Sequence, residues 1–276
     1  PSDVTLAELG PGRGTLMADM LRAARLAPGF AEAAQIHLVE ASPVLREAQA
    51  SVLPGLSPTW HESAATLPDD RPLLLVANEF FDALPIRQFL KTADGWAERM
   101  IGAGPGGLAY GLAPPVADVE LDRRFPDLAA DILVETCAPG EALLQSLAPA
   151  IERHGGLALL IDYGDWDGTG DTLQAMRAHK YAPVLETPGE ADLTAHVGFR
   201  WLAEAAAPLQ AAPLATQGAF LERLGITARA QALAQGPNAG EVAAQHRRLT
   251  HPEQMGTLFK VLALTAPGQP QPPGFA

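Results

Sequence analysis

Two short stretches of this chain carry residue types whose spacing can do chemistry. The first is Glu8-Leu9-Gly10-Pro11-Gly12-Arg13-Gly14-Thr15. Three glycines at alternate positions let the backbone turn tightly and let a ligand come close to the main chain. The apolar run Val4 to Leu9 precedes them, and an alanine- and leucine-rich amphipathic run to Leu26 follows, so the stretch reads as strand, turn, helix. The free N–H groups of that helix face whatever sits at the turn. Glu8 stands near the carboxyl end of the strand, where open α/β sheets bind ligands. The second stretch, Asn78-Glu79-Phe80-Phe81-Asp82-Ala83-Leu84-Pro85, follows the apolar run Leu73 to Ala77. Two acids and an amide gather there at the end of a strand expected to be central. The same residues would also suit a helix N-terminus, with Asn78 as its cap.

Three ligand classes use a glycine-rich turn after a first strand. A phosphate-cradling P-loop needs Lys and then Ser or Thr after its last glycine, and here Thr15 and Leu16 follow Gly14. A dinucleotide fold asks for G-x-G-x-x-G, whereas Gly10, Gly12 and Gly14 alternate, and Glu8 would repel a pyrophosphate. S-adenosyl-L-methionine has no phosphate and carries a cationic sulfonium and amino group, which an acid such as Glu8 suits. Glu40, ending a second strand from Gln35, is placed to accept hydrogen bonds from ribose hydroxyls. That acid is shared with nicotinamide enzymes, so the glycine spacing and Glu8 make the distinction. The expected cofactor residues are therefore Glu8, Gly10, Gly12, Gly14, Thr15 and Glu40. The expected catalytic residues are Glu79, then Asp82, with Asn78.

These residues need a scaffold, and the chain spells one out. Ser42 and Pro43 start a helix that ends near Pro54-Gly55, and Thr59 to Glu62 is a short strand. The order to residue 85 is β-α-β-α-β-β, a doubly wound sheet. Ile86 to Thr92, Trp96 to Gly102 and Leu108 to Leu112 read as hairpin strands, making 86–130 a β-rich insertion. Pro114 to Pro126 is expected to be loop, Asp131 to Thr136 strand, and Ala142 to Arg153 helix before Gly155-Gly156. Leu157 to Ile161 is a buried strand leading to Asp162 and Tyr163, which could line a pocket. Residues 131–265 are expected to complete the domain begun by 1–85, with a helical insertion at about 165–207 that holds His179, Asp192 and His196. Leu209 to Ala215 reads as strand, Thr216 to Gly225 as helix, Thr227 to Leu249 as helix broken near Gly236-Pro237, and Thr257 to Leu264 as a last strand. Residues 266–276 read as a flexible tail. His37 and Cys137 are expected to pack, and no His, Asp or Glu set has metal-ligand spacing.

Composition narrows the partners. A net charge of −13 with no clustered Lys or Arg is unsuited to neutralising phosphates, which argues against nucleic acid. One cysteine rules out an internal disulfide framework and suits a reducing compartment. No stretch of about 18 apolar residues occurs, so no membrane span is expected. Pro1 stands where a Met would, so the natural N-terminus is expected upstream.

The chain resembles the MidA-like family of S-adenosylmethionine-dependent methyltransferases. The likeness runs through Glu8 to Met17, His37 to Glu40, Ala77 to Pro85, Asp162 to Gly164 and Gly170 to Ala175. It continues through Ala191 to Val197, Thr216 to Leu221 and Met255 to Val261. That family includes the mitochondrial protein arginine methyltransferase that assists assembly of respiratory complex I. The resemblance implies a Rossmann-like, seven-stranded α/β fold, mostly parallel, with its last strand antiparallel and with helical additions. It implies methyl transfer to an arginine of a partner protein, in a bacterial cytoplasm or a mitochondrial matrix. It also implies a Gly-Asp-Phe-containing segment before the first strand that helps to cover the cofactor. An assembly protein that keeps the fold with little catalysis, and a nicotinamide-dependent enzyme, stand as alternatives.

Overall fold

The computed structural model describes residues 3–178 and 180–275, so Pro1 and His179 lie outside the described residues. In chain order the elements are β1 (Val4–Leu9), α1 (Thr15–Ala24), α2 (Phe30–Ala33), β2 (Ala34–Val39), α3 (Pro43–Val52), β3 (Thr59–His61) and β4 (Leu73–Asn78). Then come β5 (Arg87–Thr92), β6 (Gly95–Gly104), β7 (Gly107–Leu112), α4 (Val119–Arg124), β8 (Leu133–Thr136), α5 (Ala138–His154) and β9 (Gly156–Asp165). Four short strands follow: β10 (Gln174–Arg177), β11 (Lys180–Ala182), β12 (Asp192–Thr194) and β13 (Val197–Gly198). The chain continues with α6 (Phe199–Ala205), β14 (Gln210–Ala211), β15 (Ala215–Thr216), α7 (Gln217–Arg223), α8 (Ile226–Leu233), α9 (Ala239–Thr250) and β16 (Phe259–Thr265). No helix among the described residues is long and apolar enough to cross a membrane.

The chain divides into two compact units. The first comprises Pro1–Phe81, Glu141–Tyr163 and Leu202–Ala276. Its sheet has the order β14-β16-β9-β4-β1-β2-β3. The pairs β2·β3, β1·β2, β1·β4 and β4·β9 are parallel, and β16 runs antiparallel to β9 and to β14. This path is the seven-stranded, mostly parallel order with an antiparallel last strand that the resemblance implies; the short β15 beside β16 and β13 beside the end of β9 bring the sheet to nine strands among the described residues. The run Val261 to Leu264 is fully buried, as befits a strand covered on both faces. Leu6, Met17, Leu21, Leu38 and Leu53 form one core cluster: Leu6 comes from β1, Leu38 with Ile36 and Ala34 from alternate positions of β2, Met17 and Leu21 from the apolar face of α1, and Leu53 from just past α3. Helix α3 starts as its sequence requires, with Pro43 in the first turn and the Ser42 hydroxyl accepting the Leu45 N–H at 3.4 Å.

The second unit comprises Asp82–Gly140 and Gly164–Trp201. Its antiparallel sheet has the order β7-β6-β5-β8, over a core of Phe89, Trp96, Leu121, Phe125, Val134 and Trp201. A smaller sheet has the order β11-β10-β12.

Three expectations are corrected. The stretch Pro114 to Pro126 holds a helix, α4, because Asp118 accepts the N–H groups of Glu120 and Leu121, each at 3.0 Å. Glu120 then pairs with Arg123 and Arg124 along the exposed face, an i,i+3 and i,i+4 arrangement. The segment expected as a helical insertion holds the four short strands β10 to β13 between Gln174 and Gly198, and helix begins only at Phe199. Here cross-strand pairing overrides the weak local helical signal. The tail is docked at its end: Phe275 is buried against Phe220, with ring centroids 5.2 Å apart. An aromatic ring this close to the C-terminus has apolar area to bury, and the Pro-rich composition before it does not prevent that.

Candidate active site

The register of the first unit's sheet aligns the site. Leu9 of β1 stands opposite both Val39 of β2 and Ala77 of β4. The next residues, Glu40, Gly10 and Asn78, therefore leave three neighbouring strands side by side at their carboxyl ends. Asn78 in turn pairs with Ile161 of β9, which brings Asp162 into the same row. This is the edge at which open α/β sheets take ligands.

Gly10, Gly12 and Gly14 all lie at positive φ, at 59°, 53° and 81°. At Gly10 a Cβ would fall 2.8 Å from the Phe80 ring, so the turn packs directly against the loop after β4. At Gly12 a Cβ would meet nothing within 4 Å, leaving that main chain open to a ligand. Thr15 is the first residue of α1 and is exposed. Glu8 is 3% exposed, and burial pushes its carboxyl up to about 7 while a hydrogen bond from the Met17 N–H pulls it back. Its Oε2 is buried with no hydrogen-bond partner among the described residues. Glu40 is half-buried; its Oε1 accepts the Ser42 N–H at 2.8 Å and its Oε2 the Gln49 side-chain amide at 3.3 Å. A carboxylate has about four acceptor positions, so two remain for hydroxyl groups.

No helix follows Asn78, which rules out its role as a helix cap; the chain turns instead. Glu79 is exposed at φ 50°, a left-handed conformation that costs a non-glycine residue energy. Its N–H is held by the Ile161 carbonyl at 2.9 Å, and the Asn78 amide reaches its Oε1 at 3.5 Å. Asp162, 1% exposed, accepts the N–H groups of Phe80 at 3.2 Å and Phe81 at 3.0 Å on one oxygen, and that of Tyr163 at 3.0 Å on the other. Its geometry is that of a clamp on the Glu79 turn. Asp82 belongs to the second unit, where it is 6% exposed and its carbonyl accepts the Ala195 N–H at 3.0 Å.

The other residues singled out sit as follows. The His37 Nδ1 lies 2.9 Å from the His61 Nε2, both rings buried, and burial lowers both pKa values. The His196 N–H donates to the Thr172 hydroxyl at 2.8 Å, and Cys137 is half-buried. Sequence reasoning missed Gln49. Its signal was available: Leu45, Gln49 and Leu53 recur at i, i+4 and i+8, which puts this amide on the buried face of α3.

Over residues 1–217 the chain matches a family model described as putative S-adenosyl-L-methionine-dependent methyltransferase. It is similar to the protein arginine methyltransferase NDUFAF7, mitochondrial, of Danio rerio, at 35% identity over 298 residues covering 95% of this chain and 69% of the relative. The Homo sapiens protein of that name is 33% identical, with 94% of this chain and 65% of the relative covered. Among solved structures, a COG1565 superfamily member from Burkholderia thailandensis bound to S-adenosyl-homocysteine superposes with a TM-score of 0.84 at 27% identity, covering 99% of this chain and 74% of that one.

Proposed function

The chain belongs to the family of S-adenosyl-L-methionine-dependent methyltransferases that its residues 1–217 match, and from that premise we propose that it methylates an arginine side chain of a partner protein. The observation that carries the reading is the row of Glu40, Gly10 and Asn78 on adjacent strand ends. The relatives named protein arginine methyltransferase support the choice of acceptor.

The residues fit the cofactor. Gly12 offers uncovered backbone, Glu40 has acceptor positions left for a ribose diol, and the partnerless Glu8 oxygen suits a cationic group. Gly10, Gly14 and Thr15 complete the wall. When bound, the cofactor supplies an electrophilic methyl group on sulfur. The protein's task is alignment, since displacement at carbon needs nucleophile and leaving group in line. An arginine acceptor stays protonated at neutral pH and is a poor nucleophile, so it must be held and turned by carboxylates. Glu79 is the first such carboxylate, with Asn78 beside it, and Asp82 is the second. Backbone clamping by Ile161 and Asp162 fixes Glu79 before substrate arrives. The acceptor is a respiratory complex I subunit or its bacterial counterpart, in a mitochondrial matrix or a bacterial cytoplasm.

Glu79→Gln tests the assignment. Calorimetry with S-adenosylhomocysteine is expected to give an affinity within a few-fold of wild type, while labelled methyl transfer to protein in a lysate is lost. Normal transfer by the variant removes Glu79 from the mechanism. Wild-type binding without any transfer favours an assembly protein that keeps the fold, and preferential binding of NAD favours a nicotinamide enzyme.

A further inference from the structure

We infer that Gln49 is a positioning residue for the cofactor, acting through Glu40 and the Gly12 carbonyl; the inference rests on the cofactor reading above. Gln49 is 0% exposed, although it lies on a helix where glutamine is ordinarily at the surface. Its amide orientation is dictated by its neighbours. The indole N–H of Trp60 can only donate, and it lies 2.8 Å from the Gln49 Oε1. The amide nitrogen must therefore face the other way, where it donates to the Gly12 carbonyl at 2.8 Å and to the Glu40 Oε2 at 3.3 Å. One side chain so ties the glycine turn after β1 to the acid after β2. Gly14 makes room for it: a Cβ there would stand 3.2 Å from the Gln49 Cγ.

The consequence is directional. Without Gln49, the Glu40 main chain is still held by Arg46 and His61, but its carboxylate keeps only the Ser42 N–H among the described residues, and its second oxygen is free to turn away from a ligand. The loss should fall chiefly on the ribose hydroxyls, with a smaller effect through the Gly12 turn.

The test is calorimetric titration of the full chain with S-adenosylhomocysteine and with its analogue lacking both ribose hydroxyls. Gln49→Leu is expected to weaken S-adenosylhomocysteine about tenfold, the scale of one charge-assisted hydrogen bond, and the analogue by less than about threefold. Equal weakening of both ligands means that Gln49 only supports the fold, and overturns the inference. Trp60→Phe removes the donor that orients the amide while keeping Gln49, and is expected to give a smaller loss with the same preference. If Gln49→Leu fails to fold, Trp60→Phe decides: loss confined to the hydroxyl-bearing ligand supports the inference, and no loss or equal loss overturns it. Wild-type protein that binds neither ligand overturns the cofactor reading itself. Wild-type binding of S-adenosylhomocysteine that is unchanged in Gln49→Leu overturns the role of Gln49 alone.

Discussion

At the scale of single residues, Glu8 has the strongest pH signature. Burial raises its carboxyl from 4.5 to about 7 in the folded protein. The folded state thus holds a proton that the unfolded state has released between those values, and stability from this group is present below about 4.5 and lost as pH rises through about 7. The penalty at pH 8 is on the order of 3 kcal/mol, at 1.36 kcal/mol per unit. Glu8→Gln keeps an oxygen for the Met17 N–H and removes the charge. Without cofactor, thermal unfolding should show Glu8→Gln more stable than wild type at pH 8 and level with it near pH 4; a constant offset at both pH values would disprove the assignment. The histidine pair acts in the opposite direction. His37 and His61 are depressed below 6.5, chiefly by burial, with Arg71 and Arg46 nearby adding repulsion. Their unfolded forms take up protons first, so stability falls as pH drops below about 6.5. His37→Leu should flatten that acid limb in a urea titration series. Glu8 was visible in the sequence because it sits two residues before the first of three alternating glycines. For Gln49 the helical spacing shows a buried face but not its task, because its partners Gly12 and Trp60 lie 37 and 11 residues away and nothing local announces them.

At the scale of elements, the turn after β1 and the turn after β4 form one packed surface. Gly10 and Gly12 differ in what surrounds them: one faces the Phe80 ring, the other open space. Gly10→Ala forces a Cβ into the Phe80 ring at a left-handed φ, a combined cost of about 2–3 kcal/mol. Gly12→Ala has open space around it and should lose only about 1 kcal/mol. Yet Gly12→Ala should still cut S-adenosylhomocysteine affinity about tenfold or more, because the added methyl occupies the uncovered face. A melting curve paired with a titration for each variant checks both. Asp162→Asn turns an N–H toward backbone N–H groups that now donate to it. Its cost should be about 2–3 kcal/mol in chemical denaturation. The strands and turns of this surface were legible because each lies within one hydrophobic run and its punctuation. Helix α4 was not: three prolines around it signalled loop, and the Asp118 cap that starts it is one residue among many acids. The small sheet of β10, β11 and β12 was equally hidden, because strands of three and four residues depend on partners for their stability.

At the scale of the molecule, the chain end is part of the first unit. Phe275 packs with Phe220, Val261 and Ala263, so Phe275→Ala should lower stability by about 3 kcal/mol, whereas a frayed tail would lose nothing. Composition hid this, because proline and glutamine dominate the last ten residues. The order of strands has a kinetic meaning as well. β9 pairs with β4 across some eighty intervening residues; from Leu157 to Tyr163 its other partner is β16, Phe259–Thr265, while β13 pairs with Gly164 and Asp165 at its end. A ribosome delivers the chain from its amino end, at about 5–20 residues per second. For the several seconds between emergence of β9 and emergence of β16, an apolar strand stands with one row of backbone groups unclaimed, an invitation to mispairing. Production in a cell should therefore depend on what shelters that edge during synthesis more than on the final stability of the finished sheet.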